Sequence, residues 1–144
     1  MKQLILNTSG DLVGLILRVT AGAIMLPHGL QKSIAFKASM NYFTDTMKLP
    51  WIIAFGVIVL ETAGAFGLVV GAFSRIWALG LILVMLGAII TTNGKNGLFM
   101  NWYGTQAGEG FEYHLLFIGI CVAIMICGSG KFSIDGLIIR HRPI

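Results

Sequence analysis

Four apolar stretches, at about residues 12–30, 51–70, 76–91 and 113–127, dominate a chain of 144 residues. A spanning helix needs roughly 20 mostly apolar residues, and fewer where interfacial groups flank it. Lipid offers the backbone no hydrogen-bond partners, so stretches of this kind cross as helices. The expected fold is therefore all-α: an integral membrane four-helix bundle, forming a single domain over residues 1–144. Composition agrees. The chain is 56% hydrophobic and only 11% charged, with mean hydropathy +0.86. A soluble surface draws on about a quarter charged residues. The net charge of +4 would suggest a nucleic-acid partner in a soluble protein. Here the basic residues sit in the connections and the tail, which points to lipid headgroups and membrane orientation and away from nucleic acid.

The first stretch contains Ala21-Gly22-Ala23, a sequence like a signal-peptidase site, but Arg18 interrupts its apolar run and only Lys2 precedes it. It reads as a retained span. Between the second and third spans lies only Gly71-Ala72-Phe73-Ser74-Arg75, a tight hairpin. Between the first and second, Phe36, Met40, Phe43 and Met47 recur at helical spacing opposite Lys37, Asn41, Asp45 and Lys48. That pattern predicts a short amphipathic helix lying in the interface. Residues 93–110 are rich in Gly and Asn, with Trp102 and Tyr103 as interface anchors. Four spans place both termini on one side, with Lys2, Arg75, Lys131, Arg140 and Arg142; Lys32, Lys37, Lys48 and Lys95 lie on the other. The basic hairpin and tail close to the spans favour cytoplasmic termini.

Ionisable groups inside a span are costly and mark function or specific packing. Arg18 shares a helical face with Gly14 and Gly22, and Glu61 shares one with Ala54, Gly64 and Ala65. Counting from opposite ends of antiparallel helices puts Arg18 and Glu61 at similar depth. An Arg18–Glu61 ion pair, or a network containing both, is expected. It would be either a substrate or proton site or a device that fixes helix register. A second group gathers at the end opposite the termini. His28 and Lys32 are one turn apart beside Pro27, and Glu112 and His114 open the fourth span. Histidines and buried carboxylates suit proton transfer or hydrogen bonds to a quinone carbonyl, or they anchor helix ends. No metal site is expected, because HxxxH and CxxC spacings are missing and haem ligands do not converge. Cys121 and Cys127 read as packing thiols, too far apart on one helix for a disulfide.

The run Leu17-Arg18-Val19 with Gly22 and His28-Gly29-Leu30-Gln31-Lys32 resembles the first helix of DoxX-family membrane proteins. Leu60-Glu61-Thr62-Ala63-Gly64 with Leu68, Gly71 and Arg75 resembles their second helix and hairpin. Gly110-Phe111-Glu112-Tyr113-His114-Leu115-Leu116, then Gly128 to Asp135, resembles their fourth helix and closing signature. The resemblance implies a multi-pass protein of the bacterial cytoplasmic (inner) membrane. It also implies a link to redox processes, such as the small membrane subunit of a thiosulfate:quinone oxidoreductase, or to sulfur metabolism and oxidative-stress defence. Carried over, Arg18, His28, Lys32, Glu61 and Glu112 form the polar core.

Three functions fit these features. The first is a quinone-interacting, redox-associated subunit, at most accessory to an oxidoreductase, with quinone as the possible cofactor and electrons supplied by a partner. The second is a binding or transport protein for a small lipophilic or anionic molecule, the anion held by Arg18. The third is a membrane scaffold that recruits soluble redox or sulfur-metabolism enzymes through the tail from Lys131. The glycine-rich faces can pack within one chain or between copies in a homo-oligomer.

Overall fold

The protein is described from a computed structural model, which covers residues 12–140. Lys2 and Arg142, used above to orient the chain, lie outside them. All regular structure among the described residues is helical. Helix α1 spans Leu12–Ile34 and runs on through Pro27. The short α2 (Phe36–Asn41) leads into a widened turn at Tyr42–Thr46. Then come α3 (Trp51–Val70) and α4 (Ser74–Asn96), followed after an irregular segment by α5 (Glu112–Cys127) and a terminal α6 (Ile134–Arg140). Helices α1, α3 and α4 are long and apolar enough to cross a membrane; α5 is apolar but has only 16 residues.

The second and fourth predicted stretches match their helices to within a residue, while the first and third fall short at their ends. Helix α1 continues to Ile34 and α4 to Asn96, because the polar residues Lys32, Ser33, Thr91 and Thr92 extend the helices beyond their apolar parts. The hairpin is as tight as expected. Helix α3 ends on Gly71, whose φ of +70° is the left-handed geometry a terminal glycine accommodates. The segment from Phe36 also matches its pattern: Met40 and Phe43 are buried against Ala54 and Ile58 of α3, with Met47 packed beside them.

Small residues bring the helices together. A Cβ at Gly22 would stand 2.8 Å from the Ala65 carbonyl, and one at Gly29 would collide with the backbone at Glu61. Helices α1 and α3 therefore touch backbone to backbone, as close packing in an apolar medium favours. Helix α5 packs against α1 and α4. Met25, Leu68, Leu81, Phe117, Cys121 and Ile124 fill the centre. Cys121 is fully buried among them. The outside carries the apolar residues: Ile16, Ile52, Phe66, Leu83, Leu116 and Ile126 are all largely exposed. Trp102 and Tyr103, 75% and 91% exposed, project from the α4–α5 connection.

Candidate functional site

The polar residues of the spans collect at two places, at opposite ends of the helices. At the hairpin end, Arg18 is buried to 1% exposure. Its Nε donates to the Ser129 carbonyl at 2.8 Å, and Nη1 donates to the carbonyls of Leu68 (3.2 Å) and Val69. Nη2 donates to Lys131 (3.1 Å) and Phe132 (2.7 Å). A guanidinium has five N–H donors, and five carbonyls take them. Two of those carbonyls lie in the last turn of α3, where helical partners run out and the dipole favours a cation. Gly71 makes room, since a Cβ there would lie 2.9 Å from Arg18 Cζ.

Asp135 completes this end. Its carboxylate accepts from the amides of Phe73 (2.7 Å) and Ser74 (3.2 Å), the free N–H groups that begin α4. It also accepts from the Ser129 hydroxyl, which bonds to Ser74 Oγ at 2.9 Å. The Asp135 amide returns a bond to the Gly71 carbonyl. Asp135 is 1% exposed and within electrostatic reach of Arg18. The start of the tail is thus built into the helical core.

This corrects the expected Arg18–Glu61 pair. Glu61 pairs with Lys32. Arg18 and Lys32 are fourteen residues apart on α1, about 21 Å of helical rise. Counting depth from the ends of the apolar stretches failed because the two helices are staggered: the start of α1 passes the end of α3, where Gly14 meets Gly128 and Gly130, so Arg18 reaches Leu68 and Val69, about two turns from Glu61. The anionic-ligand reading loses its basis too, since Arg18 has no donor left for an anion.

At the other end, α1, α3, α4 and α5 enclose a cavity of about 620 Å³. His28, Lys32, Glu61 and His114 all line it. Glu112 does not: its carboxylate turns to the connection and accepts from the Met100 amide at 3.3 Å. Glu61 is 5% exposed and sits in a widened turn at Leu60–Gly64 that interrupts α3. Such turns recur at functional sites because the added residue re-aims a side chain. The Gly29 contact holds α1 against that turn, Ser33 Oγ bonds Thr62 Oγ1 at 2.8 Å, and Lys32 falls beside Glu61.

Two groups on α5 have no hydrogen-bond partner among the described residues. The Tyr113 hydroxyl and His114 Nδ1 are buried at the cavity without a hydrogen bond. Their rings meet edge to face at 5.6 Å, and Tyr113 lies within electrostatic reach of Glu61. A buried polar atom left unpaired costs about 1–3 kcal/mol. Tyr113 was missed in the sequence because an aromatic residue near a span end reads as an interface anchor. Its place one turn before buried Phe117 was the available signal. The rest of the lining is mainly apolar, including Met25, Phe43, Val57, Leu60 and Val84. Among the described residues, no three His, Cys, Asp or Glu side chains converge as a metal site.

This arrangement can hold a largely apolar molecule and offer it hydrogen bonds and a proton at one end. Sequence comparison gives it a context. Over 137 residues the chain is 28% identical to a Bacillus subtilis (strain 168) protein named "Putative oxidoreductase CatD", covering 95% of each chain. No solved structure matches it. The DoxX family profile matches residues 13–94, a stretch that carries Arg18, His28, Lys32 and Glu61, and the chain belongs to the DoxX family of membrane proteins.

Proposed function

We propose that this DoxX-family protein binds an isoprenoid quinone in the α1–α3–α4–α5 cavity and serves as the membrane subunit of an oxidoreductase assembly. The observation that carries this reading is the pairing of an apolar 620 Å³ cavity with two unpartnered polar groups, Tyr113 Oη and His114 Nδ1. Cavities of roughly 300–1,000 Å³ suit small-molecule ligands. A quinone has an apolar ring and two carbonyl acceptors. The Tyr113 hydroxyl can donate to one, and Lys32, His28 or His114 stand at the same polar end. Reduction takes two electrons and two protons to give the quinol. The electrons come from a soluble partner, and the Lys32–Glu61 pair with the histidines handles the protons. The family and its oxidoreductase-named relative support the redox assignment.

In this reading the chain is one domain of four spans. Sixteen residues of α5 give about 24 Å of rise, and its flanks complete the crossing. The segment from Phe36 to Met47 lies in the interface with its apolar side on α3. The chain sits in a bacterial inner membrane with cytoplasmic termini, which turns the cavity towards the opposite face. Scaffolding through the tail is the less supported reading, because Ser129 and Asp135 are already engaged by α1, α3 and α4.

The test is mass spectrometry of lipophiles that co-purify with gently extracted protein, compared with Lys32→Met/Glu61→Leu and His28→Ala. A quinone in the wild type that is lost in the variants supports the reading. No quinone in the wild type, together with no saturable binding of added quinone, ends it.

A further inference from the structure

Two parts of the cavity's boundary differ in character. At the connection end, polar groups close it: the side-chain amides of Asn93 and Asn96 donate to the Glu109 carbonyl at 2.9 and 3.0 Å, and Glu109 Oε2 accepts from the Asn101 amide at 2.8 Å. Between α3 and α4 the boundary is apolar. Helix α4 packs chiefly on the 60–70 part of α3, so the earlier turns of α3 stand away from it. Ile53 on one rim and Leu83 on the other both line the cavity while 50% and 61% exposed. Side chains that face both a cavity and the outside mark its opening.

Two glycines lie in that gap. Gly56 and Gly87 line the cavity, and a Cβ on either would meet nothing within 4 Å. Contrast Gly22 and Gly29, where neighbouring backbone fills the space. Glycine weakens a helix interior relative to alanine, and helix packing does not account for it at these two positions. Resting on the quinone reading above, we propose that the α3–α4 gap at Gly56 and Gly87 is a lateral portal. It holds the hydrocarbon chain of the bound ligand and leads it from the cavity into the bilayer. The head group occupies the polar end beside Tyr113 and Lys32. The chain leaves across the glycines, where the rim of the cavity is apolar.

The test uses two probes in lipid nanodiscs: a decaprenyl benzoquinone and its chainless head group. Binding is read by saturable quenching of the protein's own tryptophans. Gly56 and Gly87 are each replaced by Ala, Leu and Phe, and Gly119→Phe is the control, since Gly119 also meets open space but does not line the cavity. Affinity for the chain-bearing probe should fall with side-chain size, by about tenfold at Phe, roughly what a few lost methylene contacts are worth. The chainless probe should bind all variants within about twofold, a negligible change on that scale. The smaller residues keep the series readable if a Phe variant melts early. Equal losses for both probes would place the glycines in the head-group pocket and overturn the portal. So would unchanged affinities, or an equal loss in Gly119→Phe. If the wild type binds the chainless probe alone, the portal falls and the head-group site stands. If it binds neither, the quinone reading falls first and takes the portal with it.

Discussion

At the hairpin end a buried arginine has all five donors bonded to main-chain carbonyls and a buried aspartate caps α4. At the other end a lysine and a glutamate pair across α1 and α3, while a phenol and an imidazole nitrogen of α5 find no hydrogen-bond partner among the described residues. Both ends place ionisable groups where apolar surroundings make them costly. The first is satisfied within the chain and surrounded by packed backbone. The second is satisfied only in part and faces a cavity. A complete polar network rigidifies, and an incomplete one leaves costly unpaired groups. In the proposed function one end supplies stability and the other binds the ligand, and substitutions should separate them.

The largest effect should come from Arg18→Leu. It leaves carbonyls of α3 and of the 129–132 segment without donors and Asp135 without its nearby cation. Breaking a buried charged network costs roughly 3–5 kcal/mol. For a chain of this size that lowers the melting temperature by about 10 °C or more. Thermal unfolding in detergent, followed by circular dichroism, measures it. A variant that melts like the wild type would remove the structural role of the hairpin end. Asp135→Ala should rank second, at about 1–2 kcal/mol for a lost N-terminal cap on α4. Neither change should alter the intrinsic affinity of the protein that remains folded.

The other end should behave in reverse. Lys32→Met/Glu61→Leu removes both members of an ion pair and leaves neither charge stranded, so stability should stay within about 1 kcal/mol or rise. Ligand binding should fall by at least about tenfold, the loss expected when a hydrogen-bonding group is removed from a buried site. Combining this double change with Arg18→Leu should give additive melting shifts, because the sites are about 21 Å apart along α1 and share no partner. Coupling between them would revive a single network through Arg18 and Glu61.

How far the sequence reached follows the same division. Periodicity and hydropathy located the four long apolar helices, because lipid-facing and core-facing residues are both apolar and the runs are long; the short terminal α6 went unpredicted. His28, Lys32 and His114 were legible as one group, since rare ionisable residues stand out against such runs, but that group was read with Glu112, and Glu61 was read with Arg18. What was not legible was pairing. Relative depth depends on how two helices are staggered, and the start of α1 passes the end of α3 to reach Gly128 and Gly130. Arg18 could not be assigned, because main-chain carbonyls, which leave no mark in side-chain patterns, take all its donors. Asp135 appeared only within a family signature; its role needs the hairpin of Phe73 and Ser74 brought to it. Glu112 looked like a site residue from its neighbours, but one helical position turns it to the connection while Tyr113 and His114 face inward.

The smallest change offers the sharpest separation of the two ends. Tyr113→Phe deletes one buried hydroxyl that has no partner and leaves the ring against Phe117, 5.9 Å away between centroids. If the hydroxyl exists to meet a ligand, the empty protein should lose nothing by its removal and should gain up to about 1 kcal/mol, the cost of an unsatisfied buried group. Affinity for a benzoquinone should fall by roughly fivefold to tenfold, the worth of one hydrogen bond in a dry site. The two signs are opposite, and few structural roles for a tyrosine produce that combination. Melting without ligand and a quinone titration on the same preparation read both. Destabilisation with unchanged affinity would make Tyr113 part of the packed interior, and the open end would then resemble the closed one.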